Sequence, residues 1–392
     1  MAEEAIKLNI GAGDQELPGF TPIDRKGGKE AYPLANYADG SVDEIRAVHV
    51  LEHFPRQDVP KVLGEWARVL RPGGRIRVAV PDMKWCLQQY AAGIPVDIEG
   101  FLMGGQQDAD DFHHALFDEP GLIEMMRTVR LIRPRKWVSE ENDCASQAVS
   151  LNIEAVRAPA DFHFPRTAAI LSVGRFGYSD YHDCVTQVLY PMGITWVSAK
   201  GADWGRTLET GIKKLLAAKP DTEIILVNDW DTLYTRETVK QIGRLAAEYP
   251  EYSAIVPLQA KRIDGKIMFK PANWKPEDGN TFSLADMEPE LVPIVSGHFG
   301  CTALRVEALK TIPHPWFFAQ PNKDGLWEEG STDVDIHFWN QFAKAGHKAA
   351  LATRVSVGHI NEMVAWPTED LGVTYQHLSD FASHGQPREA RQ

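Results

Sequence analysis

The chain has 392 residues, which is long for a single hydrophobic core and favours two domains. A hydrophobic fraction of 44%, with 11 Trp and 16 Phe, indicates a packed globular protein and excludes extended disorder away from the ends. The net charge of −13 disfavours a protein that coats a polyanion, because such a surface must be basic.

The cysteines and the chain start indicate a compartment. The four cysteines, Cys86, Cys144, Cys184 and Cys301, are scattered without a metal-ligand spacing, which indicates reduced thiols and a cytoplasmic location. The start, "MAEEAIKLNI", lacks a basic segment followed by an apolar one, and no apolar run of about 18 residues follows. We therefore expect neither secretion nor a membrane span.

The first half of the chain alternates strands with a helix. Strands are predicted at residues 6–10, at the end of "TPID" (21–24), within "EIRAVHVL" (44–51), in "RIRVAVPD" (75–82) and in "AVSLNIEAV" (148–156). A helix is predicted over 58–70, where six apolar side chains recur at helical spacing: Val59, Val62, Leu63, Trp66, Val69 and Leu70. "RPGG" (71–74) is its stop.

A second run of strands and helices begins after Pro159 and Pro165. Strands are predicted at "AAILSVG" (168–174), "ITWVSA" (194–199), "EIILVN" (223–228), "SAIVPLQ" (253–259) and "AALATRVSVGHI" (349–360). The helices between them are "TLETGIKKLLAA" (207–218) and "RETVKQIGRLAAEY" (236–249). This alternation predicts two tandem α/β domains, the second with a mostly parallel sheet, and ligands of such sheets bind beyond the carboxyl ends of the strands.

A further helix is predicted in "GSTDVDIHFWNQFAKAGHK" (330–348). Thr332 is placed to cap it, with Asp335 three residues later, and Gly346 ends it. Four side chains would form its buried stripe: Ile336, Trp339, Phe342 and Ala343.

Two glycines follow the first predicted strand. In "LNIGAGD", Gly11 and Gly13 lack a Cβ, so the backbone can approach a ligand, and Asp24 at the end of the next strand can accept hydrogen bonds from ribose hydroxyls. The surrounding segments "LNIGAG", "PID", "DGSVDEIRAVHVLEHF", "EWARVLRPGGRIRVAVPD" and "GGQQDADDFHHALFD" resemble class I S-adenosylmethionine-dependent methyltransferases.

The methyltransferase resemblance covers about residues 5–157 and implies a Rossmann-like domain over 1–160. It implies that Gly11 and Gly13 face the methionine part of S-adenosylmethionine and that Asp24 faces its ribose. "DQELPGFT" (14–21) leaves no room for the helix that usually precedes the second strand, so we expect a shortened version of the fold.

The segment "HVLEH" raises a separate question about metal binding. His49 and His53 lie four residues apart and would share one helical face, with Glu52 beside them. The pattern lacks the His-Glu-x-x-His order, and no third ligand is apparent. A structural role, or contact with the cofactor or the acceptor, is the favoured interpretation.

A pair of carboxylates follows the strand "EIILVN". Asp229 and Asp231 in "NDWD" lie one residue apart, and residues at that spacing on an extended chain project to the same side. Like charges placed side by side repel unless water or a divalent cation lies between them. A solvated turn and a metal site both remain open on this observation alone.

Several segments in chain order extend this pattern. "AAILSVGRF", "NDWD", "SGHFGCTALRVEAL", "PHPWFF", "TDVDIHFW" and "VGHI" together resemble the GT-A fold of nucleotide-sugar glycosyltransferases. The resemblance implies a glycosyltransferase domain over residues 166–365, followed by a C-terminal tail, 366–392.

The GT-A resemblance also implies roles for individual residues. Asp231 and His359 would bind Mn²⁺ or Mg²⁺, with Asp229 nearer the ribose or bound through water, and Asp333 would be the general base of an inverting enzyme. The donor would contact Gly174, Arg175, Asp203, Arg206 and Trp230, and the acceptor side would include Gly297, His298 and Trp316. The stereochemistry stays open.

Three functions are compatible with the sequence. The leading one is a bifunctional cytoplasmic protein, in which a metal-dependent glycosyltransferase acting on a glycan or another hydroxyl acceptor is fused to a methyltransferase-like domain. In the second, the N-terminal domain is a non-catalytic binding module. The third transfers sugar to a hydroxylated base in DNA, which requires a basic groove near Asp333.

Overall fold

The computed structural model of the chain describes residues 5–13, 15–108, 111–173, 179–201, 203–260, 270–272, 285–360, 363–367, 373–377 and 387. The chain divides into two compact units, Met1–Phe162 and His163–Gln392. Within the described residues, no helix has both the length and the apolar character needed to cross a membrane.

The first unit is built on a six-stranded sheet. Its strands are β1 (Lys7–Ile10), β2 (Thr21–Ile23), β3 (Val42–Val48), β4 (Leu70–Pro81), β5 (Leu131–Lys136) and β6 (Ser150–Arg157). Its helices are α1 (Val59–Val69), α2 (Met83–Ala91), α3 (Ile98–Met103) and α4 (Glu119–Thr128). The strand order is β2-β1-β3-β4-β6-β5. Strands β1 to β4 are parallel, and β6 runs antiparallel to both β4 and β5.

The predicted helix stop at "RPGG" becomes a bulge inside a strand. Helix α1 ends at Val69 and β4 begins at the next residue, and the β3–β4 register then jumps from Val42↔Leu70 to Glu44↔Arg75. A side chain at Gly74 would lie 2.8 Å from the carbonyl oxygen of Arg71, so only glycine fits this bulge. The six apolar residues predicted for this helix are all buried, although the last of them, Leu70, is the first residue of β4.

The second unit contains a larger sheet and two short two-stranded sheets. Its strands are β7 (Thr167–Val173), β8 (Trp196–Lys200), β9 (Ile224–Asn228), β10 (Thr232–Leu233), β11 (Ala254–Leu258), β12 (Lys270–Pro271), β13 (Leu291–Ser296), β14 (Thr302–Arg305), β15 (Ala349–Ser356), β16 (Gly358–His359), β17 (Met363–Pro367) and β18 (Val373–His377). Its helices are α5 (Ser179–Leu189), α6 (Trp204–Ala218), α7 (Arg236–Glu248), α8 (Val306–Leu309) and α9 (Val334–Lys344).

The large sheet is mixed rather than mostly parallel. Its order is β12-β13-β15-β11-β14-β9-β7-β8. Strands β8, β7 and β9 are parallel neighbours, as predicted, but β14 runs antiparallel between β9 and β11, and β13 runs antiparallel to β15. Strands β17 and β18 pair with each other across the predicted boundary between residues 365 and 366.

Helix α9 differs in detail from the prediction. Its N-cap is Asp333 rather than Thr332, without a side-chain capping hydrogen bond, and the Asp335 carboxylate accepts from the neighbouring Ile336 N–H. Phe338, Trp339 and Phe342 are fully buried, while Ile336 is only partly buried and Ala343 is exposed. Gly346 follows the helix with φ +82°, the left-handed conformation typical of a helix end.

Aromatic rings fill the core on the α9 face of the second sheet. Phe299 stacks on Trp339 with centroids 5.4 Å apart, and Phe317 stacks on Phe338 at 4.9 Å. Trp316, expected on the acceptor side, belongs to this core: it is 4% exposed and its indole N–H donates to the carbonyl of Ile312. Its ring packs the protein interior and presents no open face to a sugar.

His298, also expected on the acceptor side, is buried with both ring nitrogens engaged. Nε2 lies 2.7 Å from the carbonyl oxygen of Pro257, and Nδ1 accepts from the Gly300 N–H at 3.0 Å. A carbonyl only accepts, so the proton sits on Nε2 and the ring is neutral. Burial lowers the pKa of His298 to about 4. The ring is a structural bridge between β11 and the loop that precedes β14.

The depressed pKa of His298 predicts acid sensitivity. Below pH 6.5 the imidazole of His298 is protonated in the unfolded chain but stays neutral in the folded protein until the pH approaches 4. The contribution of His298 to the free energy of unfolding is therefore complete above pH 6.5 and is lost as the pH falls towards 4. Between pH 7 and 4.5 we expect a loss of about 2 kcal/mol in the free energy of unfolding from this residue. Urea unfolding at both pH values measures it.

Replacement of His298 provides the check. His298→Asn should lower stability at pH 7, because two hydrogen bonds are weakened, but should flatten the pH dependence. Exposed His182→Asn should leave that dependence unchanged. An identical pH slope in wild type and His298→Asn would contradict the assignment.

Candidate functional site

Each unit has a point where the strand order reverses. From β1 the chain goes to β2 on one side and then to β3 on the other, so a crevice opens beyond the carboxyl ends of β1 and β3. From β7 it goes to β8 and then to β9 on the other side, so a second crevice opens beyond β7 and β9. Ligands of open α/β sheets bind at such points.

The glycine turn lies at the first of these points. Gly11 has φ +69°, and a Cβ there would lie 2.1 Å from Cγ2 of Val50, the second residue after β3. The Gly13 N–H donates to Oδ2 of Asp24 at 2.9 Å, and the Lys26 N–H donates to Oδ1 of the same carboxylate. The structure therefore brings together the three residues expected to bind S-adenosylmethionine, with Asp24 fastening the turn to the end of β2.

A cavity of about 320 Å³ follows β2. Its lining includes Ile23, Gly28, Glu30, Leu34, Asn36 and Tyr37. This volume is at the lower end of the range for small-molecule pockets. The cavity is therefore a partly apolar recess beside Ile23, the residue before Asp24.

His49 and His53 do not share a helical face. His49 has φ +52°, and a single 3₁₀ turn, Leu51–His53, follows it. Burial lowers the pKa of His49 to about 4 and raises the pKa of Glu52 to about 8, so the 3.4 Å contact between His49 Nδ1 and Glu52 Oε1 joins two neutral groups near pH 7. Nε2 of His49 instead lies 3.0 Å from the hydroxyl of Ser150.

The "DWD" segment lies at the second reversal point, directly after β9. Strand β10 follows it and pairs antiparallel with β16, with Thr232 opposite His359. This pairing places Nε2 of His359 3.5 Å from Oδ2 of Asp231, and both side chains are largely buried. Nδ1 of His359 lies 2.9 Å from the carbonyl oxygen of Ala260, which requires the proton on Nδ1 and leaves the Nε2 lone pair facing Asp231 when the ring is neutral.

Asp229 is held by groups that the sequence did not indicate. Oδ1 accepts from the Ser172 hydroxyl and from the indole N–H of Trp204, each at 3.1 Å. Burial raises the pKa of Asp229 to about 6, and the charge of Asp335 acts in the same direction. The two hydrogen bonds and His359 oppose that rise. The ends of β7 and β9 and the start of α6 thus converge on one carboxylate.

The other predicted site residues have mixed placements. Gly174 and Arg175 lie outside the described residues. Asp203 caps α6 by accepting from the Arg206 N–H, and the Arg206 side chain is exposed on the first turn. Trp230 is partly buried against the core.

Of the remaining two predicted residues, Gly297 is buried and Asp333 is exposed. Gly297 is buried, and a Cβ there would lie 2.9 Å from Val256. Asp333 is exposed at the start of α9, with no side-chain capping bond.

Comparison with known proteins concerns the first unit most directly. A family model described as a methyltransferase domain matches residues 28–78, which include β3, α1 and most of β4. The methyltransferase GfsG of Streptomyces halstedii is 42% identical over 103 residues, which is 25% of this chain and 35% of the relative. The chain thus spans about a third of the length of that relative.

Solved structures show weaker likenesses. The protein A197 from STIV has 14% identity and a TM-score of 0.35, with 54% of this chain and 94% of that chain covered. A SAM-dependent methyltransferase from Methanosarcina mazei has 17% identity and a TM-score of 0.30, with 40% and 94% covered. These TM-scores are too low to support an argument, whereas the sequence matches show that the N-terminal part of the chain contains a methyltransferase-like domain.

Proposed function

We propose that the chain is a two-domain transferase. The second unit moves a sugar from a nucleotide-sugar donor to an acceptor hydroxyl with the help of a divalent cation, and the first unit binds S-adenosylmethionine. The observation that carries the glycosyltransferase proposal is the 3.5 Å approach of His359 to Asp231 at the strand-order reversal of the second sheet.

The Asp231 and His359 side chains fit a cation. A carboxylate oxygen and an imidazole Nε2 lone pair face each other, and ligands about 2.1 Å from an ion lie about 3 Å apart when adjacent. The Nδ1–H of His359 is held by the Ala260 carbonyl, the arrangement that fixes a histidine as a metal ligand. Oxygen ligands favour Mg²⁺ or Mn²⁺, and the histidine favours Mn²⁺ of the two.

The proposed chemistry separates the roles of three acids. A bound cation would neutralise the charge that builds on the departing diphosphate. Asp231 binds that cation, while Asp229, fixed by Ser172 and Trp204, orients the donor ribose or a bridging water. Asp333, exposed at the start of α9, takes the proton from the acceptor hydroxyl. Such a base serves an inverting reaction.

The first unit fits a cofactor of extended shape. Gly11 has no Cβ and lies against Val50, so the backbone of the turn comes close to the crevice where β1 and β3 end. We place the methionine part of S-adenosylmethionine at this turn and its ribose near Asp24.

For the acceptor of the sugar we propose a glycan or a small hydroxyl compound. The net charge of −13 repels a polyanion and disfavours a hydroxylated DNA base.

Loss of either metal ligand should strongly reduce nucleotide release. For Asp231→Asn and for His359→Gln we expect release from a nucleotide sugar in Mn²⁺ to fall on the order of 100-fold or more. Nucleotide release is measured for a panel of nucleotide sugars, with and without a chelator. The matched control is Asp221→Asn. Asp221 has an exposed carboxylate and lies just before the first residue of β9, at the end of the strand opposite to Asp231, so this variant should keep full activity. Undiminished sugar transfer in excess chelator would overturn the metal mechanism.

The role of Asp333 has its own test. Asp333→Asn keeps the size and a good N-cap residue but removes the basic group, so we expect sugar transfer to fall by about 10² to 10⁴. Donor binding, measured by calorimetry, should change little. A normal transfer rate in this variant would remove Asp333 from the mechanism.

Cofactor binding should raise the melting temperature. S-adenosylmethionine or its demethylated product stabilises the folded state by a free energy that grows with the logarithm of the ratio of ligand concentration to dissociation constant. Gly11→Ala should cancel the shift, because its Cβ collides with Val50. Gly19→Ala is the matched control, since Gly19 has a similar φ of +79° and open space around it. The absence of any shift in the wild-type protein at millimolar ligand would favour a binding module that does not use this cofactor.

A further inference from the structure

A second cluster of potential metal ligands lies in the first unit. Glu52, His53 and His113 each offer one ligand atom, and these atoms all lie within 4.8 Å of one another. His113 is 60 residues away from His53 in the sequence. The cluster therefore exists only because the segment before α4 folds back onto the turn after β3.

Backbone hydrogen bonds hold the two segments together. The N–H groups of His114 and Ala115 donate to the carbonyl of Glu52 at 2.7 and 3.2 Å. The His113 N–H donates to the carbonyl of Met103, at the end of α3. The position of the His113 ring is thus set by three elements of the fold rather than by a free loop.

Both histidines are oriented in the same way. Nδ1 of His53 lies 3.1 Å from the carbonyl oxygen of Phe112, and Nδ1 of His113 lies 3.0 Å from that of Phe101. Because a carbonyl only accepts, each Nδ1 carries the proton and each Nε2 of the neutral rings has a lone pair. A hydrogen bond from Nδ1 to a carbonyl is the arrangement that orients metal-bound histidines.

Glu52 supplies an independent observation. Its side chain is 0% exposed, and within the described chain neither carboxyl oxygen has a hydrogen-bond partner, although Nδ1 of His49 lies 3.4 Å from Oε1. Burial of a carboxyl group without a partner is costly, and unpartnered buried groups are rare. A cation that displaces the carboxyl proton to solvent would be bound by the Glu52 carboxylate and by the two imidazole lone pairs together.

We propose that Glu52, His53 and His113 bind a divalent transition-metal ion, with Zn²⁺ the preferred ion. Two histidines and one carboxylate are a known ligand set for zinc that leaves a coordination position open to water or substrate. The nitrogen-rich set differs from the proposed cation site of the second unit. Glu52 lies two residues after Val50, whose side chain lies against Gly11, so the ion would be held by the same segment after β3 that borders the Gly11 turn.

The test uses the full chain with the second site removed. In the Asp231→Asn, His359→Gln background, calorimetry with Zn²⁺ should give one equivalent bound, and Co²⁺ should give a visible absorption band from nitrogen ligation. Replacement of a ligand by His113→Gln should weaken Zn²⁺ binding by at least 10- to 100-fold and abolish that band. This readout requires neither a methyl donor nor a sugar donor, so it is independent of the proposed transferase activities.

The adjacent histidine supplies the matched control. His114 is exposed and its ring stacks on Phe112, so His114→Gln should bind Zn²⁺ like the background protein. His53→Gln and Glu52→Gln repeat the test if His113→Gln does not fold, as judged by thermal melting. No Zn²⁺ binding by the background protein, or equal binding by folded variants of the three ligands, would overturn the proposal.

Discussion

Each of the two main sheets places its first strand between two parallel neighbours, and both candidate sites depend on this pairing. Strand β1 lies between β2 and β3, and β7 lies between β8 and β9. At the carboxyl ends of these strands, the connection from the first strand and the later connection to the third strand run to opposite sides. No single connection therefore covers the carboxyl ends of the strands. The glycine turn and the "DWD" segment lie at these ends, where polar groups can meet a ligand without disturbing the core beneath.

The buried polar groups around these ends follow one electrostatic rule. A charge that leaves water needs a partner, and where none is present the neutral form is favoured. Asp229 retains two hydrogen bonds although burial raises its pKa, and Glu52 has a higher pKa and no hydrogen-bond partner within the described chain. His359, His53 and His113 each place Nδ1 near a carbonyl. The protein thereby presents oriented nitrogen lone pairs next to carboxyl groups in both units.

Burial also distinguishes structural aromatic and histidine residues from binding residues. His298 and Trp316 looked suitable for an acceptor because of their residue type and their place in the chain. In the fold their polar atoms are used by Pro257, Gly300 and Ile312, and their surfaces are covered. Asp203 likewise caps a helix. Composition and order cannot reveal this, because whether a ring faces a core or a crevice depends on residues distant in the chain.

The sequence by itself determined the regular elements and the residues next to them. Apolar periodicity predicted β1, α1, β9 and α7 closely, because each element buries one face or all of itself whatever surrounds it. The glycine turn, Asp24 and "DWD" were identified because they directly follow such strands.

Tertiary structure alone decided the pairings between distant segments. It placed β14 antiparallel inside the second sheet, opposed β16 to β10 so that His359 meets Asp231, and brought His113 to Glu52. Local pattern carries no information about these contacts, since each is made by backbone hydrogen bonds between residues that only the complete fold brings together.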